Sequence, residues 1–172
     1  MKIAILYYSK TGHTRAMAET VAEGARCIPE VEVRMFALDQ IDMSYVKQSK
    51  AVIFGTPTHH ANACWQMKKW FDEQGGHPRD GGIAYPLAGK LGAVFATSDF
   101  AQGGSHIALN SLIGHLLVQG MLVYSGGAAL GLPYLPFGAV SLTENFESGK
   151  PIFRIFGERI AIKAKELFEP GR

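Results

Sequence analysis

The residues best suited to chemistry stand near the start of the chain, at Ser9-Lys10-Thr11-Gly12-His13-Thr14. They follow an apolar run, Lys2-Ile3-Ala4-Ile5-Leu6-Tyr7-Tyr8, short enough for a buried strand. After them Met17, Ala18, Val21, Ala22 and Ala25 recur on one helical face. A strand, a tight polar turn and a helix N-terminus together make an anion site. The first helical N–H groups have no intrahelical partner, and the helix dipole favours negative charge there. Ser9, Thr11 and Thr14 add hydroxyl donors, and Gly12 lets the backbone approach a ligand closely. The turn lacks both G-x-x-x-x-G-K-[ST] and G-x-G-x-x-G, so it suits a single terminal phosphate monoester rather than a triphosphate or a pyrophosphate. Without a ligand, Thr11 would simply cap the first helix.

Two further segments carry unusual chemistry. In Gly55-Thr56-Pro57-Thr58-His59-His60-Ala61-Asn62, Pro57 fixes a turn, and Thr58 offers a hydroxyl and backbone donors. His59 and His60 offer flat rings. Adjacent side chains diverge, and no nearby Cys or carboxylate completes a metal site, so no metal is expected. One ring is expected to pack on a planar ligand, and Asn62 to cap the next helix. The other segment is Phe95-Ala96-Thr97-Ser98-Asp99-Phe100-Ala101-Gln102-Gly103-Gly104. Thr97, Ser98 and the backbone can meet a polar heterocycle edge. Phe100 either covers a ring face or plugs the core. Asp99 either caps a helix or sets a negative charge beside a redox ring.

These segments need a scaffold that brings them together. Apolar runs at 2–8, 31–37, 51–56, 91–97 and 121–125 alternate with helical patterns at 13–26, 62–74, 104–119 and 152–168, plus a short one near 43–48. Repeated β-α units predict a parallel sheet covered on both faces and joined by right-handed crossovers. Ligands of such sheets sit beyond the strands' carboxyl ends, where strand order reverses. The loops 9–14, 57–62 and 98–104 should therefore meet there. Trp65 and Trp70 are expected to pack a helix on the sheet. Taken by themselves, His13, His106 and His115, all in helical patterns, read as ordinary surface or core histidines. The Gly- and Pro-rich region 126–150 reads as an irregular excursion before the last helix.

The chain has 172 residues, which fits a single domain spanning 1–172. Its two cysteines, Cys27 and Cys64, make no disulfide framework, and with no signal peptide they point to a cytoplasmic protein with reduced thiols. A net charge of +2, with scattered Lys and Arg, argues against nucleic acid. From Phe100 to Thr143 there is no Asp, Glu, Lys or Arg, yet Gly and Pro break the stretch too often for a membrane span. Burial, partly against another subunit, is expected.

A phosphate at the first loop and a flat heterocycle at the next two describe flavin mononucleotide (FMN). The chain resembles the flavodoxin-like superfamily, and more closely WrbA-type NAD(P)H:quinone oxidoreductases. Carrying the resemblance are Leu6-Tyr7-Tyr8-Ser9 with Gly12-His13, and Phe54-Gly55-Thr56-Pro57-Thr58. Asn62, Gln66-Met67, Phe71-Asp72 with Gly75-Gly76, Gly89-Lys90, Gly103-Gly104, Gly120-Met121 and Pro136-Phe137-Gly138-Ala139 extend it along the chain. The resemblance implies a flavodoxin-like doubly wound five-stranded parallel sheet of order 2-1-3-4-5, with helices on both faces and non-covalent FMN. Phosphate contacts match Ser9, Lys10, Thr11, Gly12, His13 and Thr14. Ring contacts match Pro57, Thr58, His59, His60, Asn62, Thr97, Ser98, Asp99, Phe100, Gln102 and Gly103.

The resemblance also implies an enzyme. NADPH or NADH would reduce FMN, and a quinone would then take two electrons by a ping-pong scheme, in a homodimer or homotetramer. No side chain is then a nucleophile or general base, and His59, His60 and Phe100 would shape the acceptor pocket. The chain departs from this pattern at Thr11, where an aromatic is usual, and at His59-His60, which replace Arg-Phe. His77-Pro78 replace a covering Trp, Gln119 replaces a His near the flavin, and the segment after the second strand is short. The alternatives are a flavodoxin-type electron carrier and a regulatory binding module. Such carriers are usually strongly acidic, so a sequence pI near 8.5 weighs against the first. Nothing in the sequence supports the second.

Overall fold

The computed structural model describes residues 1–74 and 85–170. The elements run β1 (Lys2–Tyr7), α1 (His13–Arg26), β2 (Glu32–Ala37), α2 (Met43–Gln48), β3 (Ala51–His59), β4 (Asn62–Ala63) and α3 (Trp65–Gln74). Then come β5 (Leu91–Ser98), α4 (Ser105–Val118), β6 (Leu122–Val123), β7 (Ala139–Leu142) and α5 (Phe146–Phe168). The main sheet has the order β2-β1-β3-β5-β6, all parallel, with β7 also paired to β5. With the two-residue β4 set aside, this is the expected flavodoxin-like 2-1-3-4-5 arrangement.

The central strands β1, β3 and β5 are buried on both faces, which is why they read as unbroken apolar runs, whereas β2 lies at the sheet edge with Glu32 and Arg34 exposed. Ile3, Ile5, Ile53, Ala93 and Phe95 face α1 and α5, where Met17, Phe153, Phe156 and Ile160 close the layer. Ala4, Leu6, Val52, Phe54, Val94 and Ala96 face the opposite layer of Met67, Trp70, Phe71, Leu112 and Leu116.

Three boundaries differ from the sequence expectation. The last strand is divided: β6 holds only two residues, and the edge resumes as β7 after an excursion. The irregular region is therefore shorter than 126–150. Arg159 holds this excursion from α5. Its guanidinium donates to the carbonyls of Pro133, Leu130, Gly131 and Leu132 at 2.8, 3.2, 3.3 and 3.1 Å. Second, α5 starts at Phe146 rather than 152, with Pro151 inside it. Proline removes one hydrogen bond there, and packing of Phe153 and Phe156 outweighs the loss. Third, α3 starts at Trp65, because residues 62–63 pair back on β3 instead of opening the helix.

The two helices over the first core layer touch through glycine. A Cβ on Gly24 would lie 1.9 Å from the Arg154 carbonyl oxygen, and one on Gly157 would lie 2.0 Å from that of Val21. Only hydrogen fits at either position without moving a helix. Gly157→Ala should destabilise the chain by about 1–3 kcal/mol, read as a lower urea midpoint at unchanged slope.

His115 stacks on Phe71 with centroids 4.9 Å apart and rings 13° from parallel. Burial holds its pKa below the ordinary 6.5, Lys68 adds to the shift and Asp72 opposes it. The folded state thus takes up this proton less readily than the unfolded state. The stability tied to neutral His115 is complete above pH 6.5 and is lost as pH falls below it. Urea unfolding between pH 8 and pH 5 should show a steeper acid-side loss in the parent chain than in His115→Leu.

Candidate functional site

The loops after β1, β3 and β5 meet at the carboxyl edge of the sheet and enclose a cleft of about 240 Å³. Lys10, Thr11, His13 and Thr14 come from the first loop and the start of α1. Pro57, Thr58 and His59 come from the end of β3, and Thr97, Ser98 and Asp99 from the end of β5. Strand register brings them level, since Pro57 pairs with Thr97. A buried hydrogen bond of 2.8 Å joins the hydroxyls of Thr14 and Thr97 and ties the first loop to the third.

The N-terminus of α1 has the features of an anion site. Gly12 sits in the left-handed region at φ 98°, and the first turn carries no acid. Ser9 Oγ accepts from the amides of Gly12 and Arg15 at 3.1 and 3.2 Å, so Ser9, rather than Thr11, caps the helix. The amides of Thr11, His13 and Thr14 find no acceptor among the described residues. Three free amides, flanked by the hydroxyls of Thr11 and Thr14 and by Lys10, suit a phosphate.

The second loop is a tight hairpin. His59 pairs with Asn62 across His60 and Ala61, which both take positive φ, at 49° and 58°. That is the primed turn favoured in two-residue hairpins, here made without glycine. Thr56 Oγ1 accepts from the Cys64 amide at 3.1 Å and anchors its base. Its tip rests on Gly104, where a Cβ would come within 2.6 Å of the Ala61 Cβ. Asn62 Oδ1 accepts from the neighbouring Ala63 amide, so Asn62 does not cap α3; the Cys64 carbonyl accepts from the Met67 and Lys68 amides as the helix begins.

Thr143 was not singled out by the sequence. It follows β7 and lines the cleft. Its hydroxyl lies 3.0 Å from Asp99 Oδ1 and 3.4 Å from His13 Nδ1. A hydroxyl that donates to the carboxylate accepts from the imidazole N–H, so Thr143 links the first and third loops. His13 also packs on Phe146, with centroids 4.9 Å apart. Asp99 therefore serves Thr143 and caps no helix. A short alternating run, Ala139-Val140-Ser141-Leu142, was the available signal that a strand delivers Thr143 here.

Several anticipated residues lie outside the cleft wall. Ser9 and Gly12 line a neighbouring cavity. His60 is exposed at the hairpin tip, and Asn62 and Gln102 are exposed as well. Gly103 packs against Ser98, and Phe100 is 59% exposed, so it does not plug the core. Trp70 packs on Phe54 and Phe71 as expected, whereas Trp65 is 65% exposed. Gln119 is buried just past the C-terminal end of α4, roughly 20 Å by helix rise from the end that faces the cleft. Gly75-Gly76 and His77-Pro78 lie outside the described residues. Among the described residues no three His, Cys, Asp or Glu gather as metal ligands, and no helix is long and apolar enough to cross a membrane.

Comparison with known proteins bears on this geometry. The flavodoxin family model matches residues 5–110, which include all three loops. A flavodoxin of Clostridium saccharobutylicum is 46% identical over 168 residues, covering 98% of this chain and 100% of that one. A flavodoxin of Aquifex aeolicus is 32% identical, covering 99% of this chain and 90% of its own length. Among solved structures, a flavodoxin, WrbA-like protein from Agrobacterium tumefaciens superposes with a TM-score of 0.76 at 26% identity, covering 96% and 98% of the two chains. These findings overturn the expectation of an NAD(P)H:quinone oxidoreductase. The full-length relatives are flavodoxins, and the WrbA likeness is a structural one at lower identity. The chain is a member of the flavodoxin family.

Proposed function

We propose that the chain is an electron-transfer carrier that holds FMN in the 240 Å³ cleft and serves redox proteins. The observation that carries this reading is the set of free amides at the start of α1, opening into the same cleft as the polar ends of β3 and β5. Its membership of the flavodoxin family and its flavodoxin relatives support the assignment. Bound FMN supplies reversible uptake and release of electrons.

The chain's own residues bind and tune. Thr11, Thr14, Lys10 and the free amides bind the phosphate. Thr58, Thr97 and Ser98 hold polar edges of the flavin. Asp99, fixed by Thr143, keeps a carboxylate at the cleft that opposes negative charge gained on reduction. His59 alone of the two adjacent histidines lines the cleft, and His60 faces solvent.

The uncharged stretch of 100–143 is only partly accounted for by the core. Ala108, Leu109, Leu112 and Leu116 are buried, but Leu117, Val118 and Leu122 stand exposed together around the C-terminal end of α4. A homo-oligomeric contact at that end, away from the cleft, fits the reading. Sedimentation at micromolar concentration should show an oligomer that Val118→Asp dissociates; a monomeric parent chain overturns this contact without touching the cleft.

The cleft assignment is tested by ligand choice. Thr11→Ala should weaken FMN by about 1 kcal/mol or more, the loss of one hydrogen bond to a charged group. Riboflavin binding, measured by flavin fluorescence, should be unchanged; equal losses for both ligands overturn the phosphate assignment. Asp99→Asn should raise the flavin midpoint potential by roughly 30 mV, about 1.4 kcal/mol for a two-electron couple. The FMN-loaded chain alone should not oxidise NADPH or NADH with benzoquinone, and sustained turnover would contradict a carrier.

A further inference from the structure

A larger cavity, of about 570 Å³, lies beside the cleft, with Ser9 and Gly12 forming part of its wall. This volume is typical of small-molecule sites, and the electron-carrier reading gives it no task. Both tryptophans of the chain line it, together with Tyr8. Trp70 is mostly core, with centroids 5.6 Å from Phe54 and 5.1 Å from Phe71. Trp65, on the first turn of the same helix, leaves 65% of its surface open. Folding alone does not account for an indole left so exposed beside a cavity.

The charges around this cavity are unequally satisfied. Arg15 pairs with Glu19 at 3.2 Å, and Lys69 with Glu73 at 3.7 Å, each one turn along its own helix. Asp39, on the loop after β2, lines the cavity without an ion pair or hydrogen bond among the described residues. The cavity thus combines aromatic faces, two cations already matched by acids, and one carboxylate still open. Aromatic faces attract cations through the ring quadrupole, and a nearby carboxylate adds charge attraction.

We infer that this cavity binds a small organic cation with a flat apolar body, the rings of Trp65 and Tyr8 taking the body and Asp39 facing the charge. An anion would meet Asp39 and cations that already have partners. The site shares the Ser9–Gly12 wall with the phosphate loop but none of the lining residues of the flavin cleft.

The two indole N–H signals in a ¹H–¹⁵N spectrum of the full chain as purified report on this cavity directly, since both tryptophans line it. Benzyltrimethylammonium should move both signals saturably below about 10 mM, the weak-affinity range of small ligands. Phenylacetate and benzyl alcohol should leave them in place. Asp39→Asn should weaken the cation about fivefold, with the remaining spectrum and the bound flavin unchanged. Trp65→Leu, which keeps apolar bulk and removes the aromatic face, should weaken it as well and serves if Asp39→Asn does not fold. No saturable movement, an equal response to phenylacetate, or unchanged affinity in both variants overturns the site. Loss of FMN binding by the parent chain would overturn the carrier reading and leave this one standing.

Discussion

β1 and β3 pair in parallel as far as Tyr7 and Gly55, and β3 then runs on to His59. The chain leaving β1 has no strand to follow beyond that point. The Tyr8 amide makes one last bond to the Gly55 carbonyl, at 3.2 Å, and the loop turns away into α1. The overhang lifts Thr58 and His59 above the end of β1 and sets them across from Thr11 and Thr14. β5 keeps pace with β3, so Thr97 lands opposite Pro57. The cleft is the space that this stagger leaves at the point of strand reversal. Substituting a loop residue changes its chemistry, whereas moving the β1–β3 register would abolish it.

What the sequence made legible follows the same logic. Strands buried on both faces leave unbroken apolar runs, and helices on a sheet leave a repeating stripe, so the main elements and their order could be read directly. Local contests were harder. Asn62 is a good helix cap by type, but a turn through His60 and Ala61 claimed it for a strand pair. The last helix was expected from 152, yet Phe153 and Phe156 pack so well that it starts at Phe146 and runs through Pro151. Thr143 was invisible because its partners, Asp99 and His13, are distant in sequence and meet only once β7 docks on β5.

Charge proved a poor guide to function. A pI near 8.5 argued against a carrier, on the premise that carriers dock through an acidic surface. Net charge is a property of the whole surface, whereas the cleft is lined by hydroxyls, with Lys10, Asp99 and two histidines as its titratable side chains. Family membership follows the loops and the sheet, and neither constrains the charge of the remaining surface. Thr11 and His59-His60, where the sequence departs from the WrbA-type pattern it resembles, fall on those same loops.

Arg159 holds its loop entirely through main-chain oxygens. A guanidinium has its donors fixed in one plane, and carbonyls can satisfy them whatever side chains the loop bears. The anchor is thus blind to sequence. Leu130 and Leu132 contribute backbone to it and leave their own side chains pointing to water. Leu130, Leu132 and Tyr134, all exposed, can be replaced while the path over α5 stays the same, whereas Gly131, at φ 73°, and buried Leu135 are held to type. The fold carries, at its sheet edge, a surface free to drift towards new contacts at little risk to the flavin cleft.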